Sequence, residues 1–100
     1  VTGVRGDFRA EIWLAESTGA WHFVSLPNHL ADEIADTVDG SRPGFGSVRV
    51  SVTIGATTWA TSIFPDAKRG TYVLPVKKAV RAAERVEAGD TVSVELTVAD

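Results

Sequence analysis

Tyr72-Val73-Leu74-Pro75, an amphipathic stretch, and then Gly89-Asp90-Thr91-Val92-Ser93-Val94-Glu95-Leu96 read as strand, Leu-Pro step, helix, glycine turn and strand. The same order stands earlier in the chain. Trp21-His22-Phe23-Val24-Ser25-Leu26-Pro27 is followed by a helical stretch and by Gly46-Ser47-Val48-Arg49-Val50-Ser51-Val52. Two such units predict an internal repeat, and with it a small β-barrel with a pseudo-two-fold axis.

The elements around the repeat follow from hydrophobic periodicity. Val48, Val50, Val52 and Ile54 alternate with Arg49, Ser51 and Thr53, a period of two that marks a half-buried strand. Gly55-Ala56 then turns the chain, with glycine at the first central position of a type II′ hairpin. Residues 57–64 return as a strand, with Trp59, Thr61 and Ile63 on one face and Ala60, Ser62 and Phe64 on the other. Upstream, Phe8, Ala10, Ile12 and Leu14 alternate with Asp7, Arg9, Glu11 and Trp13, and this strand forms a hairpin with residues 20–26. On the second strand Trp21 and Phe23 are expected inside, with His22 pointing the opposite way. Pro27 suits the first turn of a helix, where its missing N–H costs nothing. Leu30, Ala31, Ile34, Ala35 and Val38 share one face of that helix. Val76, Ala79, Val80 and Ala83 have helical spacing in the second unit, and Val92, Val94, Leu96 and Val98 face one way in the last strand.

The sum is mainly β: six strands and two short helices over residues 1–100, one domain. Six strands avoid open edges by closing, fully or in part, into a barrel. A barrel this narrow is filled by its own side chains, so a ligand site belongs at a mouth or groove.

Composition narrows the function classes. There is no cysteine, which excludes disulfides, thiolate metal sites and cysteine nucleophiles and fits a reducing cytoplasm. No apolar run approaches the roughly 20 residues of a membrane span, and no signal segment opens the sequence. The net charge of −3 disfavours general attraction to nucleic acid or to an anionic membrane. The charge is unevenly spread. Residues 28–40 carry Asp32, Glu33, Asp36 and Asp39 with no base, whereas residues 68–85 carry Lys68, Arg69, Lys77, Lys78, Arg81 and Arg85 against Glu84 alone.

Leu74-Pro75-Val76-Lys77-Lys78-Ala79-Val80-Arg81 and Gly89-Asp90-Thr91-Val92-Ser93-Val94 resemble the bacterial and archaeal family of unknown function numbered 1905. The likeness continues through Phe8-Arg9-Ala10, Trp21 to Pro27 and Ser62-Ile63-Phe64-Pro65. It implies a small β-barrel and supplies no catalytic residue. One position departs from the pattern. The family ends its second helix with a Leu-Gly-Leu-like step, where glycine provides a left-handed cap, and here Glu84-Arg85-Val86 stands instead.

Candidate site residues are few. Lys77, Arg81 and Arg85 recur every four residues, either a basic stripe for phosphate or carboxylate or simply the solvated face of an amphipathic helix. The oppositely charged helices could also meet between two molecules. His22 and His29 lack the spacing of a zinc site, and His29 is placed to meet Glu33 one turn on. Residues 40–46 are glycine-rich but lack the ending of a phosphate-binding loop. Phe45 at that loop, Trp13 and Trp59 are aromatic residues on or near polar faces, the usual mark of an interface.

The leading expectation is a non-enzymatic binding module for a small molecule or protein partner, a monomer or homodimer, needing no metal or cofactor. Its contacts would be Trp13, Phe45, Trp59, Lys77 and Arg81. The alternative is an enzyme using general acid–base chemistry at a barrel mouth through His22, Ser62 or Lys78. A nucleic-acid-binding regulator is a third reading, by analogy of fold alone.

Overall fold

In the computed structural model, residues 4–15, 21–38 and 46–99 are described, with the side chains of residues 37 and 38 set aside. The strands are β1 (Arg5–Glu11), β2 (Trp13–Leu14), β3 (His22–Ser25), β4 (Val48–Ile54), β5 (Thr57–Asp66), β6 (Thr71–Pro75) and β7 (Thr91–Val98). Helix α1 (Asn28–Val38) joins β3 to β4, and α2 (Lys78–Glu84) joins β6 to β7. All seven strands belong to one curled sheet in the order β1-β7-β4-β5-β6-β3-β2. Every pairing is antiparallel.

The strand count is seven, not the six expected from periodicity. The predicted strand over residues 8–14 is divided at Ile12, which leaves the strand ladders and bonds to a turn. Its N–H donates to the Asp90 carbonyl at 2.9 Å, and its carbonyl accepts from the Gly89 N–H at 2.8 Å. The break changes partners: β1 pairs with β7, and β2 pairs with β3. The two ends of the sheet are thus the two halves of one short segment. The break also shifts the alternation, so Ile12 is fully buried and Leu14, expected inside, is exposed.

Burial follows the valine pattern elsewhere. Val48, Val50, Val52 and Ile54 of β4 and Val92, Val94, Leu96 and Val98 of β7 all lie in the core. The two strands are neighbours, with Val52 opposite Leu96. At about 25 cal/mol per Å² of apolar surface, full burial of each such side chain contributes roughly 1.5–3 kcal/mol. The β4–β5 hairpin has the two-residue loop Gly55-Ala56, since Ile54 pairs with Thr57. Gly55 has φ +60° and Ala56 is not left-handed, as a type II′ turn requires.

In β3 the predicted facing is reversed. Val24 and Leu26 are buried, which turns His22 toward the same side and sends Trp21 and Phe23 to the other. Strand alternation fixes which residues share a face but not which face is inner. The two aliphatic residues settled it. Phe23 packs between Trp13 and Trp21, with centroids at 5.1 and 5.9 Å, and Trp21 is 53% exposed.

Both helices start behind a carbonyl. Pro27 precedes α1, and its carbonyl accepts the N–H groups of Leu30 and Ala31 at 3.1 and 3.0 Å. The Lys77 carbonyl does the same for Val80 and Arg81, each at 3.1 Å. Helix α1 buries Leu30, Ala31 and Ile34, and α2 rests on Val76 and Val80. Ala35, Ala79 and Ala83, expected on the inner faces, are exposed. The short α2 turns only a narrow stripe inward.

Arg85 ends α2 by taking the left-handed conformation itself, at φ 56° and ψ 47°. Its N–H donates to the Ala82 carbonyl and that of Val86 to the Arg81 carbonyl. This is the Schellman arrangement that glycine normally serves, and Val86 packs against the core beside it. Among the described residues, no helix is long and apolar enough to cross a membrane.

Candidate functional site

Two adjoining pockets lie where β3, β6 and α2 meet β5. The first, about 290 Å³, is lined by Trp21, His22, Pro75, Val76, Lys77, Lys78 and Arg81. The second, about 380 Å³, is lined by Trp21, Pro75 and Lys77 on one side. Arg49, Trp59, Ala60, Thr61, Ser62 and Phe64 form its remainder. Trp21, Pro75 and Lys77 belong to both, so the pair forms one continuous groove.

The Leu-Pro step builds its floor. Pro75 closes β6 and the chain turns there into α2. The Val76 N–H is bonded to the His22 carbonyl at 2.9 Å, which ties the turn to β3. Arg81 lies over this turn. Its Nε donates to the Val76 carbonyl at 3.1 Å, and its Nη1 is 3.4 Å from His22 Nε2. A guanidinium can only donate, so a hydrogen bond there needs Nε2 as acceptor, with the imidazole proton on Nδ1. The Arg81 head is half-buried and fixed at two points, with further N–H groups left to meet a ligand.

The electrostatics of the groove are one-sided. Arg49, Lys77, Lys78 and Arg81 line it, and among the described residues no carboxylate does. The ion pairs among the described residues, Arg5 with Glu95 and Arg69 with Asp66, involve none of these cations. The apolar part is equally distinct. Trp21 and Phe64, 39% exposed, are two of the three large hydrophobic side chains left open to solvent among the described residues.

Of the residues singled out from sequence, His22, Lys77, Lys78 and Arg81 meet in the first pocket. Trp59 and Ser62 lie in the second, with Lys77 shared. Trp13 lines neither. Its indole N–H donates to Ser25 Oγ at 3.0 Å, and the Arg69 guanidinium covers its ring at 3.6 Å. Phe45 lies outside the described residues, as does most of the glycine-rich loop. Arg85 lines neither pocket; its backbone caps α2 and its side chain is exposed. His29 and Glu33 are both exposed on α1. Trp21, Arg49 and Phe64 were not foreseen as contacts. Arg49 had a sequence signal, a lone cation on the outer face of the clearest strand, but nothing linked it to Lys77.

Among the described residues, no group of three or more histidine, aspartate or glutamate side chains could hold a metal. A third depression, about 450 Å³, lies between α1 and the β5–β6 turn. It is lined by Ala31, Asp32, Ala35, Asp66 and Tyr72 among others, with no cation among the described residues.

No curated protein matches the chain closely enough to show kinship. A family described as Domain of unknown function (DUF1905) matches residues 8–96, spanning every strand but the start of β1 and the end of β7. The chain belongs to that family.

Proposed function

We propose that this domain is a non-enzymatic binding module whose groove takes an anionic ligand with a flat or apolar body. The observation that carries the reading is the lining itself: among the described residues, four cations without a carboxylate around exposed Trp21 and Phe64. Phosphate and carboxylate suit the fixed guanidinium of Arg81, and the aromatic rings suit the remainder of the ligand. Lys77, between the two pockets, neutralises charge in either.

The test is calorimetric titration with aryl carboxylates and aryl phosphates. Binding that falls about tenfold or more in the Lys77→Ala/Arg81→Ala double variant, and that weakens with salt, supports the module. Absence of binding at millimolar ligand, or affinity indifferent to the double substitution, rejects it.

The pairing pattern supports a duplicated unit for the fold. Strands β4, β5 and β6 are linked in the same order as β7, the β1–β2 segment and β3. On this reading the seven-stranded sheet closes as a barrel, with β1 and β2, divided at Ile12, acting together as one element of the repeat. The groove has a counterpart beside β1. There Leu30 packs on Gly6, so a side chain of the domain fills what stays open beside β5.

A further inference from the structure

Among the described residues, the backbone of β5 along the second pocket has a side that no strand pairs. The Arg49 carbonyl accepts from the Ala99 N–H at 2.8 Å, toward β7. Arg49 therefore turns its backbone groups away from its partner Ser62 on β5. By the same alternation Thr58, Ala60 and Ser62 direct their N–H and carbonyl groups away from β4. On that side β6 pairs only with Phe64, Pro65 and Asp66. Continuing the ladder two residues beyond Phe64 and Val73 would set Ser62 opposite Pro75, which has no N–H to give. The pairing stops there. The chain leaves as α2 and is bonded to β5 again where Thr57 Oγ1 donates to Glu84 Oε2 at 2.5 Å. Between these points lies the pocket of about 380 Å³ along Trp59 to Ser62.

From this edge we infer that the groove's ligand is a short extended acidic peptide segment that adds to β5 at Ala60 and Ser62. The inference rests on the anion-binding reading of the groove and names its ligand class. Free edge groups supply sequence-independent affinity, and side-chain pockets supply selection. The two faces differ in chemistry. Trp59 and Thr61, half-buried, flank the inward side of an added strand and suit an apolar residue. Arg49 stands beside Ser62 on the outward side, with Lys77 across the gap, and these suit a carboxylate. An added segment thus alternates apolar and acidic residues. Three extended residues span roughly 10 Å, enough to reach from Ala60 past Ser62.

The experiment uses acetyl-Leu-Asp-Leu-Asp-Leu-amide, fluorescently labelled, and two versions N-methylated on either the leucine or the aspartate residues. Strand addition spends the N–H groups of one alternate set only. The expected result is binding of the parent peptide, loss of about tenfold or more for one methylated version, and little change for the other. Equal behaviour of the two versions overturns strand addition and leaves the anion groove standing. Binding of aryl carboxylates without the peptide does the same. Failure of both probe classes overturns the groove and the inference together. A concentration-dependent dimer that the parent peptide does not compete would place a second copy on this edge, and so overturn the peptide assignment.

Discussion

The carboxylate of Glu84 lies directly over Gly55: a Cβ on this glycine would collide with Glu84 Oε1, while Oε2 accepts from Thr57. The end of α2 is thereby latched to the β4–β5 hairpin. Gly55 is needed twice, for its φ of +60° and for the space it leaves. Gly55→Ala is expected to destabilise by about 2 kcal/mol, from the left-handed strain and the crowding together. Chemical denaturation of Gly55→Ala, Glu84→Ala and the double variant separates the two. The double variant should recover the crowding but not the strain, and strict additivity would disprove the latch.

Arg85 gives a change in the opposite direction. It holds a left-handed conformation that costs a side-chain-bearing residue about 1 kcal/mol or more. Arg85→Gly should therefore stabilise by about 0.5–1 kcal/mol, raising Tm by several degrees in a domain of this size. A lower Tm would mean that the arginine side chain contributes more than its backbone costs.

The seat of α1 on β1 is equally specific. A Cβ on Gly6 would lie 2.7 Å from both Leu30 methyl carbons. Gly6→Ala is expected to cost about 1–3 kcal/mol, and Leu30→Ala about 2–5 kcal/mol. In the Leu30→Ala background the added cost of Gly6→Ala should largely vanish. A full additional loss measured by thermal unfolding would show that Gly6 is required for some other reason.

Trp13 and Trp21 flank the same Phe23, yet they should respond differently. Trp21 is half open, so Trp21→Ala should change stability by less than about 1 kcal/mol while weakening any ligand of the groove. Trp13→Phe gives up the bond to Ser25 and should cost about 1 kcal/mol with binding unaltered. Paired titration and unfolding curves for both variants would expose an exchange of these roles.

How far the sequence was legible differs element by element. Strands β4 and β7 were readable because valine alternation has one meaning when every second residue is buried. The Gly55-Ala56 turn was readable because its backbone demand leaves few residue choices. The facing of β3 was not, since Trp21 and Phe23 outweigh Val24 and Leu26 in hydrophobicity and yet lie on the outer side. Nor was the break at Ile12, which depends on Gly89 and Asp90 reaching it from the far end of the chain. The groove was half legible. Lys77, Lys78 and Arg81 are neighbours in sequence, but Trp21, Arg49 and Ser62 join them only through strand pairing. A further contributor, the side of β5 that no described strand pairs, is backbone and leaves no residue signature except Pro75.

The β1–β7 ladder also fixes when this domain can fold. Arg5 pairs with Thr97, and the Val98 N–H bonds to the Val4 carbonyl at 2.8 Å, so the earliest strand is completed by the latest. On a ribosome, β1 waits for nearly the entire domain to emerge before its partner exists. Closing so long a loop is entropically costly, and topologies dominated by such pairings fold in milliseconds to seconds rather than microseconds. Nascent β1 must meanwhile remain soluble as an unpaired strand. The charges of Arg5, Asp7, Arg9 and Glu11, alternating along one of its faces, guard it against pairing with other chains until β7 arrives.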